Sequence, residues 1–423
     1  MVVWAAFVIF CAAGMAYPQL PYIKFGSITY FEVLLVPAGL LGVGPLIRIA
    51  GARERSGART MCRLLIAYFG FELLVVIPVA MAPGTVKLTV VLSELAVRFT
   101  WLLFPMMLAL CSDDRARHRA GTVAVVAAAG LIVWGVYLAA TGGGGYYLEL
   151  GELRYRVMYG GSLMLFAWPL VLALSRDVKR RSTVPLIGIL LVGLVLTNMR
   201  SGYIACAIGS LICLVSSRQV RRVVPWIVPA ILVGVIVVLL WGQQASDALG
   251  YTLSHLLDLS SGTGADRTAR DVLAWNFFTR YPFNDFVWSW RYYLVYLQNP
   301  YGPHNFIAGI AVTEGVAGLA FYAAAVILPF RNAWHWIWRD AEARVLSGYL
   351  VLYLVFQSAN GGWYAPVNLI LFIAAAAALV TRVDRLRTGE ASPDPLTIAE
   401  HSSQGSLGNL LPEGSASEDG ELT

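Results

Sequence analysis

The sequence predicts an all-α integral membrane protein with about a dozen transmembrane helices and one long loop on its outer side. Three observations lead there. The 423-residue chain is 58% hydrophobic and only 13% charged, about half the charged share of a soluble domain. Its mean hydropathy is +0.66, and apolar stretches recur from end to end, each approaching the roughly 20 residues that cross a bilayer core. Its basic residues stand in short blocks between those stretches, which is how membrane topology is encoded. The net charge of +6 therefore reads as a topology signal, with no nucleic-acid partner implied.

The apolar stretches fall at 2–17, 28–47, 64–82, 89–111, 120–141, 157–174, 184–198, 203–216, 224–241, 305–328, 345–359 and 364–381. The first ends in small residues, as a signal peptide does, but begins without a basic residue; it is read as the first membrane helix. Two stretches, 184–198 and 203–216, are short. A helix of about 14 residues rises about 21 Å, less than the ~30 Å core, so a hairpin that crosses only partly is the alternative to two full spans. Three regions result: N-terminal membrane helices at 1–183, a membrane region at 184–381 that contains the outer loop 242–303, and a tail at 388–423. The tail is rich in Ser, Gly, Glu and Asp, a composition that stays disordered.

Sidedness follows from the Lys and Arg count. One set of loops, at 48–63, 112–119, 175–183, 217–223, 329–344 and after 381, holds 21 of them. The opposite set holds 9, and Arg98 alone lies within a span. The positive-inside rule puts both termini in the cytoplasm and the loop 242–303 outside. The five cysteines, Cys11, Cys62, Cys111, Cys206 and Cys213, lie in apolar stretches or beside basic loops. None lies in the long outer loop, so no disulfide framework is expected, and none has metal-ligand spacing to a histidine.

The outer loop is the one large non-membrane element. A Ser/Gly turn at 260–264 precedes 268–281, which has helical character: Arg267, Arg270, Ala274 and Phe278 share one helical face. The aromatic segment that follows ends in Tyr301-Gly302-Pro303-His304-Asn305. Its rings suit a belt at the membrane surface, or equally a surface on which sugar rings stack. Two histidines are outward-facing, His255 and His304. His304 stands where the loop returns to the membrane; a neutral imidazole there is able to take a proton from a hydroxyl, although capping a helix is the plainer role for that position. Arg200 lies at the tip of the short hairpin, and Arg267 and Arg270 lie in the loop. Their guanidinium groups fit phosphate oxygens bidentately, while snorkelling to the surface is the competing role for Arg200. Among buried charges, Glu72 lies mid-span, and Glu94 and Arg98 stand four residues apart, able to neutralise each other. Glu314, below His304, is placed either to orient a base or to make a helix–helix hydrogen bond. The sequence has no Walker loop, no dinucleotide-binding glycine pattern after a strand and no outward Asp-x-Asp pair, so no cofactor and no metal is expected.

His304-Asn305, nine residues, and Gly315-Val316-Ala317-Gly318 together resemble the His-Asn-x9-Gly-x-x-Gly signature of O-antigen ligases. Leu196-Thr197 through Arg200-Ser201-Gly202 resembles that family's hairpin element, with Met199 where the family has Ser. Thr268-Ala269-Arg270, Trp275 and Pro282 resemble its loop pattern, with Phe283-Asn284-Asp285-Phe286 where Gly-x-Gly often follows. The three elements occur in the family's order, within 197–318. The resemblance implies a GT-C-like, metal-independent glycosyltransferase in the bacterial inner membrane, acting on an undecaprenyl-diphosphate-linked glycan at the outer face. It implies His304 as catalytic base and Arg200 and Arg270 as diphosphate-binding residues; Asn305, Glu314 and Arg267 stand beside these as candidates for a supporting role. Its partners are then the lipid-linked glycan donor, a glycan or lipid acceptor, and membrane lipids.

Several activities share that site: a ligase of lipopolysaccharide assembly, an O-antigen or exopolysaccharide polymerase, and a protein O-glycosyltransferase. The rival of another class is a secondary transporter or flippase, which needs ionisable residues and broken helices near the bilayer midplane.

Overall fold

A computed structural model of the chain describes residues 24–25, 28–76, 98, 100–111, a few positions between 130 and 141, 145–149, 152–156, 193–194, 200–213, 263–283, 303, 305–360 and 366–391. Within these the chain is mainly helical. A minimal hairpin, β1 (Lys24–Phe25) with β2 (Ile28–Thr29), opens into α1 (Tyr30–Gly51). Helix α2 (Gly57–Phe71) runs into one turn of π-helix, Glu72–Val76. A 3₁₀ turn, Thr100–Leu102, leads into α3 (Leu103–Cys111). Strands β3 (Gly145–Glu149) and β4 (Glu152–Arg156) form a second antiparallel hairpin, from Gly145↔Arg156 to Glu149↔Glu152. Then follow α4 (Arg200–Cys213), α5 (Thr263–Arg280), α6 (Phe306–Ala333), α7 (Ala341–Asn360) and α8 (Pro366–Thr388). The second hairpin lies in a loop read as outward, while the first runs from such a loop into the first two residues of the expected span 28–47, so the chain is not free of strands. The expected spans at 2–17, 157–174 and 224–241, most of 120–141 and 184–198, and the tail after 391 lie outside the described residues.

The core gathers where α1, α2, α3, α6 and α8 meet, with α7 against α6 and α8, and α4 against α7. Trp101 is fully buried there, edge-on to Phe321, Tyr322 and Phe372 at 5.1, 5.6 and 6.2 Å. Small residues bring backbones close, the usual basis of helix association where lipid removes the hydrophobic drive. Ala374–Ala378 of α8 are all buried. At the crossing of α4 and α7, a Cβ on Gly209 would sit 2.9 Å from the Gly348 carbonyl, and one on Gly348 2.6 Å from Cys213 Sγ. Large apolar side chains face outward instead: Leu41, Leu74 and Leu211 are 69%, 79% and 65% exposed. Among the described residues, one helical segment, Glu314–Ala333, is long and apolar enough to cross a bilayer; Gly39–Gly51, Thr100–Ala109 and Ser201–Cys213 are shorter apolar helices.

Several helix termini meet at one end of this bundle, and arginines and acids join them. Ser56 Oγ accepts from Arg59 N (3.1 Å), and the Asp384 carboxylate of α8 accepts from Gly57 N and Ala58 N (2.9 and 3.1 Å). A hydroxyl and a negative charge thus satisfy the open N–H groups of α2, which is why α2 starts at Gly57 and not at 64 as hydropathy alone suggested. Asp340 is buried; it accepts from Ala343 N at the start of α7 (2.9 Å) and takes both Arg382 Nε and Nη2 (3.1 and 2.7 Å). Arg387 donates to Asn332 O near the end of α6, and Arg63 to Ala50 O near the end of α1 (both 3.1 Å). Cationic groups at last-turn carbonyls complement the helix dipole.

Candidate functional site

At the opposite end of α6, the loop helix α5 docks on the first turns of α6. Ala274, Phe277, Ala308 and Val312 are buried together, with Tyr281 against them. The buried stripe of α5 therefore runs through Ala274 and Phe277, with Arg270, Asp271, Phe278 and Tyr281 half-buried along it. This differs slightly from the face drawn through Arg267, Arg270, Ala274 and Phe278. Trp275 and Phe283 are exposed. Asn305 caps α6 with its side chain, Oδ1 accepting from Ile307 N (2.8 Å). Its own backbone N–H donates to Asp271 Oδ1 (3.1 Å). Asp271 directly follows Arg270, and Asn305 directly follows His304, so this one bond ties the two loop segments that carry the proposed phosphate ligand and the proposed base. The sequence reading did not single out Asp271; an acid beside a candidate arginine carries no signal until its partner is known.

Helix α6 is not continuous. Gly315 adopts φ 58° and ψ −152°, which ends one helix at Glu314 and lets another start at Val316. The freed Val316 N–H donates to Pro282 O, the residue just past α5 (3.0 Å). Gly318 is demanded separately: a Cβ there would collide with the Glu314 side chain, which folds back over the first turn of the second half. The expected span 305–328 is thus corrected. Residues 306–314 pack on the loop helix through Ala308 and Val312 and on the bundle core through Phe306 and Ile310, and the segment of membrane length is Glu314–Ala333, with the break near its start. Each residue of the Gly-x-x-Gly pair has a distinct steric reason, and Pro282 is hydrogen-bonded to the break that Gly315 makes.

Glu314 sits at that break and is buried. Its Oε2 accepts from Tyr68 Oη (2.8 Å), and its Oε1 accepts from Tyr322 Oη (3.4 Å) and pairs with Arg98 Nη2 (3.3 Å). Both charged side chains are nearly inaccessible, Arg98 at 1% and Glu314 at 2%. Trp101 Nε1 donates to Tyr322 Oη (3.4 Å), and Phe321 stacks on Tyr68 at 3.9 Å. Glu72, at the start of the π turn that follows α2, is also buried. Arg98 pairs with Glu314, far along the chain; Glu94, the partner expected four residues away, lies outside the described residues. Glu314 thus makes a helix–helix hydrogen bond, through Tyr68 of α2.

His304 lies outside the described residues, as do the side chains of Arg200 and Arg267. The backbone of Arg200 begins α4, and the antiparallel crossing at Gly209 and Gly348 carries that end of α4 toward the Asn360 end of α7. Cys62, Cys111, Cys206 and Cys213 are buried free thiols. Among the described residues no three His, Cys, Asp or Glu side chains gather as metal ligands. No protein-family model matches the chain, and no curated protein matches it.

Proposed function

We propose that this chain is a membrane glycosyltransferase of the O-antigen ligase or polymerase kind, with about a dozen transmembrane helices, in the bacterial inner membrane. It transfers or polymerises an undecaprenyl-diphosphate-linked glycan at the outer face. The observation that carries the reading is the bond between Asn305 N and Asp271 Oδ1. It joins, through chain neighbours, the histidine and the loop arginine that the three sequence elements single out. In the mechanism, His304 accepts the proton of an acceptor hydroxyl as the oxygen attacks the anomeric carbon from the side opposite the diphosphate. The bond from that carbon to the diphosphate oxygen breaks with inversion. Arg200 and Arg270 bear the charge that develops on the departing undecaprenyl diphosphate, so the reaction needs no metal. Outward apolar side chains such as Leu41 and Leu74 suit a lipid surround.

A second reading, a transporter or flippase, draws on one specific feature: the helix broken at Gly315 beside a buried Arg98–Glu314 pair, the arrangement such proteins use near the midplane. In-vitro transfer from a synthetic undecaprenyl-diphosphate glycan separates the two. The glycosyltransferase reading expects product from wild type and none from folded His304→Ala; a ladder marks a polymerase and a single addition to a lipid acceptor marks a ligase. A well-folded wild type that transfers nothing from several donors, yet moves lipid-linked substrate across a vesicle bilayer, would reverse the order of the two readings.

A further inference from the structure

The buried Arg98–Glu314 pair lies at the break in α6, beside Tyr68 and Tyr322. A buried pair of opposite charges is often no more stabilising than an apolar pair of the same volume, so bundle stability alone is a weak reason for its presence. Its placement does suggest a role. Glu314 is the last residue before the left-handed Gly315. Its carboxylate lies over the first turn of the second half of α6, where a negative charge is favoured by the helix dipole. Three side chains from the rest of the protein hold it there: Tyr68 of α2, Arg98, and Tyr322 one turn past Gly318. Above the break, the short helix 306–314 carries Asn305, and Pro282 O receives Val316 N–H within the break itself.

We propose that Glu314, held by Arg98, Tyr68 and Tyr322, is the positioning residue of the outer site. It fixes the angle of the break at Gly315, and thereby sets where helix 306–314 and the docked loop helix α5 stand relative to the membrane helices. The route is continuous: from Glu314 through Gly315 and Val316 to Pro282 at the end of α5, and from helix 306–314 through Asn305 to Asp271 beside Arg270. Glu314 touches no substrate in this role. The consequence for catalysis rests on the glycosyltransferase reading; the consequence for the loop does not.

Hydrogen exchange on the full chain in lipid nanodiscs tests the two separately. Wild type is compared with Glu314→Gln, Arg98→Lys and Tyr68→Phe. In Glu314→Gln the amides of 271–283 and 303–318 are expected to exchange at least about tenfold faster, while those of 341–360 and 366–388 keep their wild-type protection. Arg98→Lys, which keeps the charge, is expected to retain most of the protection. In the transfer assay Glu314→Gln is expected to lower kcat by roughly 10- to 100-fold, as displacement of a reacting group by about 1 Å does, with KM for the donor changed less than about threefold. Wild-type exchange across 271–318 in Glu314→Gln overturns the proposal, and so does faster exchange with an unchanged kcat. If Glu314→Gln loses protection everywhere, Tyr68→Phe decides: faster exchange confined to 271–318 supports the proposal, and its absence overturns it. Should wild type itself transfer nothing, the enzyme reading fails while the exchange comparison still decides whether Glu314 holds the loop.

Discussion

Gln357 is wholly buried on α7, and neither its amide oxygen nor its amide nitrogen has a hydrogen-bond partner among the described residues. It shares a helical face with Tyr349 and Tyr353, at steps of four residues. A buried polar group left unmade costs about 1–3 kcal/mol, and replacing it with an apolar group of like shape recovers that cost. Gln357→Leu is therefore expected to stabilise the protein by about that amount, read as a higher thermal unfolding midpoint in detergent. A lower midpoint would mean that the amide is engaged in the membrane by water or substrate. At this scale the sequence is legible where a residue belongs to a regular pattern, as Arg270 and Ala274 do along the packed side of α5. It is not legible where a residue's meaning comes from a distant partner. Spacing offers Arg98 the acid four residues away, Glu94; its pair with Glu314, far along the chain, is visible only in the fold.

Helix α6 shows the same limit one level up. Hydropathy runs unbroken across Gly315, so a single span from 305 is the natural reading; apolar runs mark the ends of α1 and α7 to within four residues, whereas α8 runs on to Thr388, seven residues past the expected 381, through a polar last turn and more. The break appears only because Gly315 takes a backbone conformation that L-residues avoid and because Pro282 O, from another segment, receives the N–H that the break frees. The Gly/Pro pattern was visible in sequence; the reason for it was not. An alanine at 315 would be held in a strained region at a cost of about 1–3 kcal/mol. Gly315→Ala is expected to lower the unfolding midpoint and to loosen the docking of α5, seen as faster proteolysis within 263–283 under native conditions. Wild-type proteolysis and midpoint would show that the break tolerates a side chain and that Gly315 does not hold the loop.

At the scale of the bundle, part of the charge asymmetry read from the sequence becomes a spatial one among the described residues. Residues from 50–63, 332–344 and 382–387, three of the segments assigned to the arginine-rich side, meet at one end of the bundle through Asp384 with the start of α2, Asp340 with Arg382, and Arg387 with Asn332. The loop helix and Asn305 lie at the other end of α6, separated from the first end by Glu314–Ala333, the segment long enough to cross a bilayer. Loops that share a side in a membrane must converge in this manner. The pattern predicts opposite sidedness for the two ends. A reporter active only outside the cytoplasm, inserted at 260–264 just before α5, is expected to be active. The same reporter joined after residue 391, beyond α8, is expected to be silent, and one active only in the cytoplasm should show the reverse. Like signals at both positions would mean that Glu314–Ala333 does not separate two compartments, and the outer-face chemistry would go with it. Opposite signals of inverted sign would keep the bundle in the membrane but turn Arg270 and His304 to the cytoplasm, where an undecaprenyl-linked glycan destined for the cell surface would no longer be the substrate.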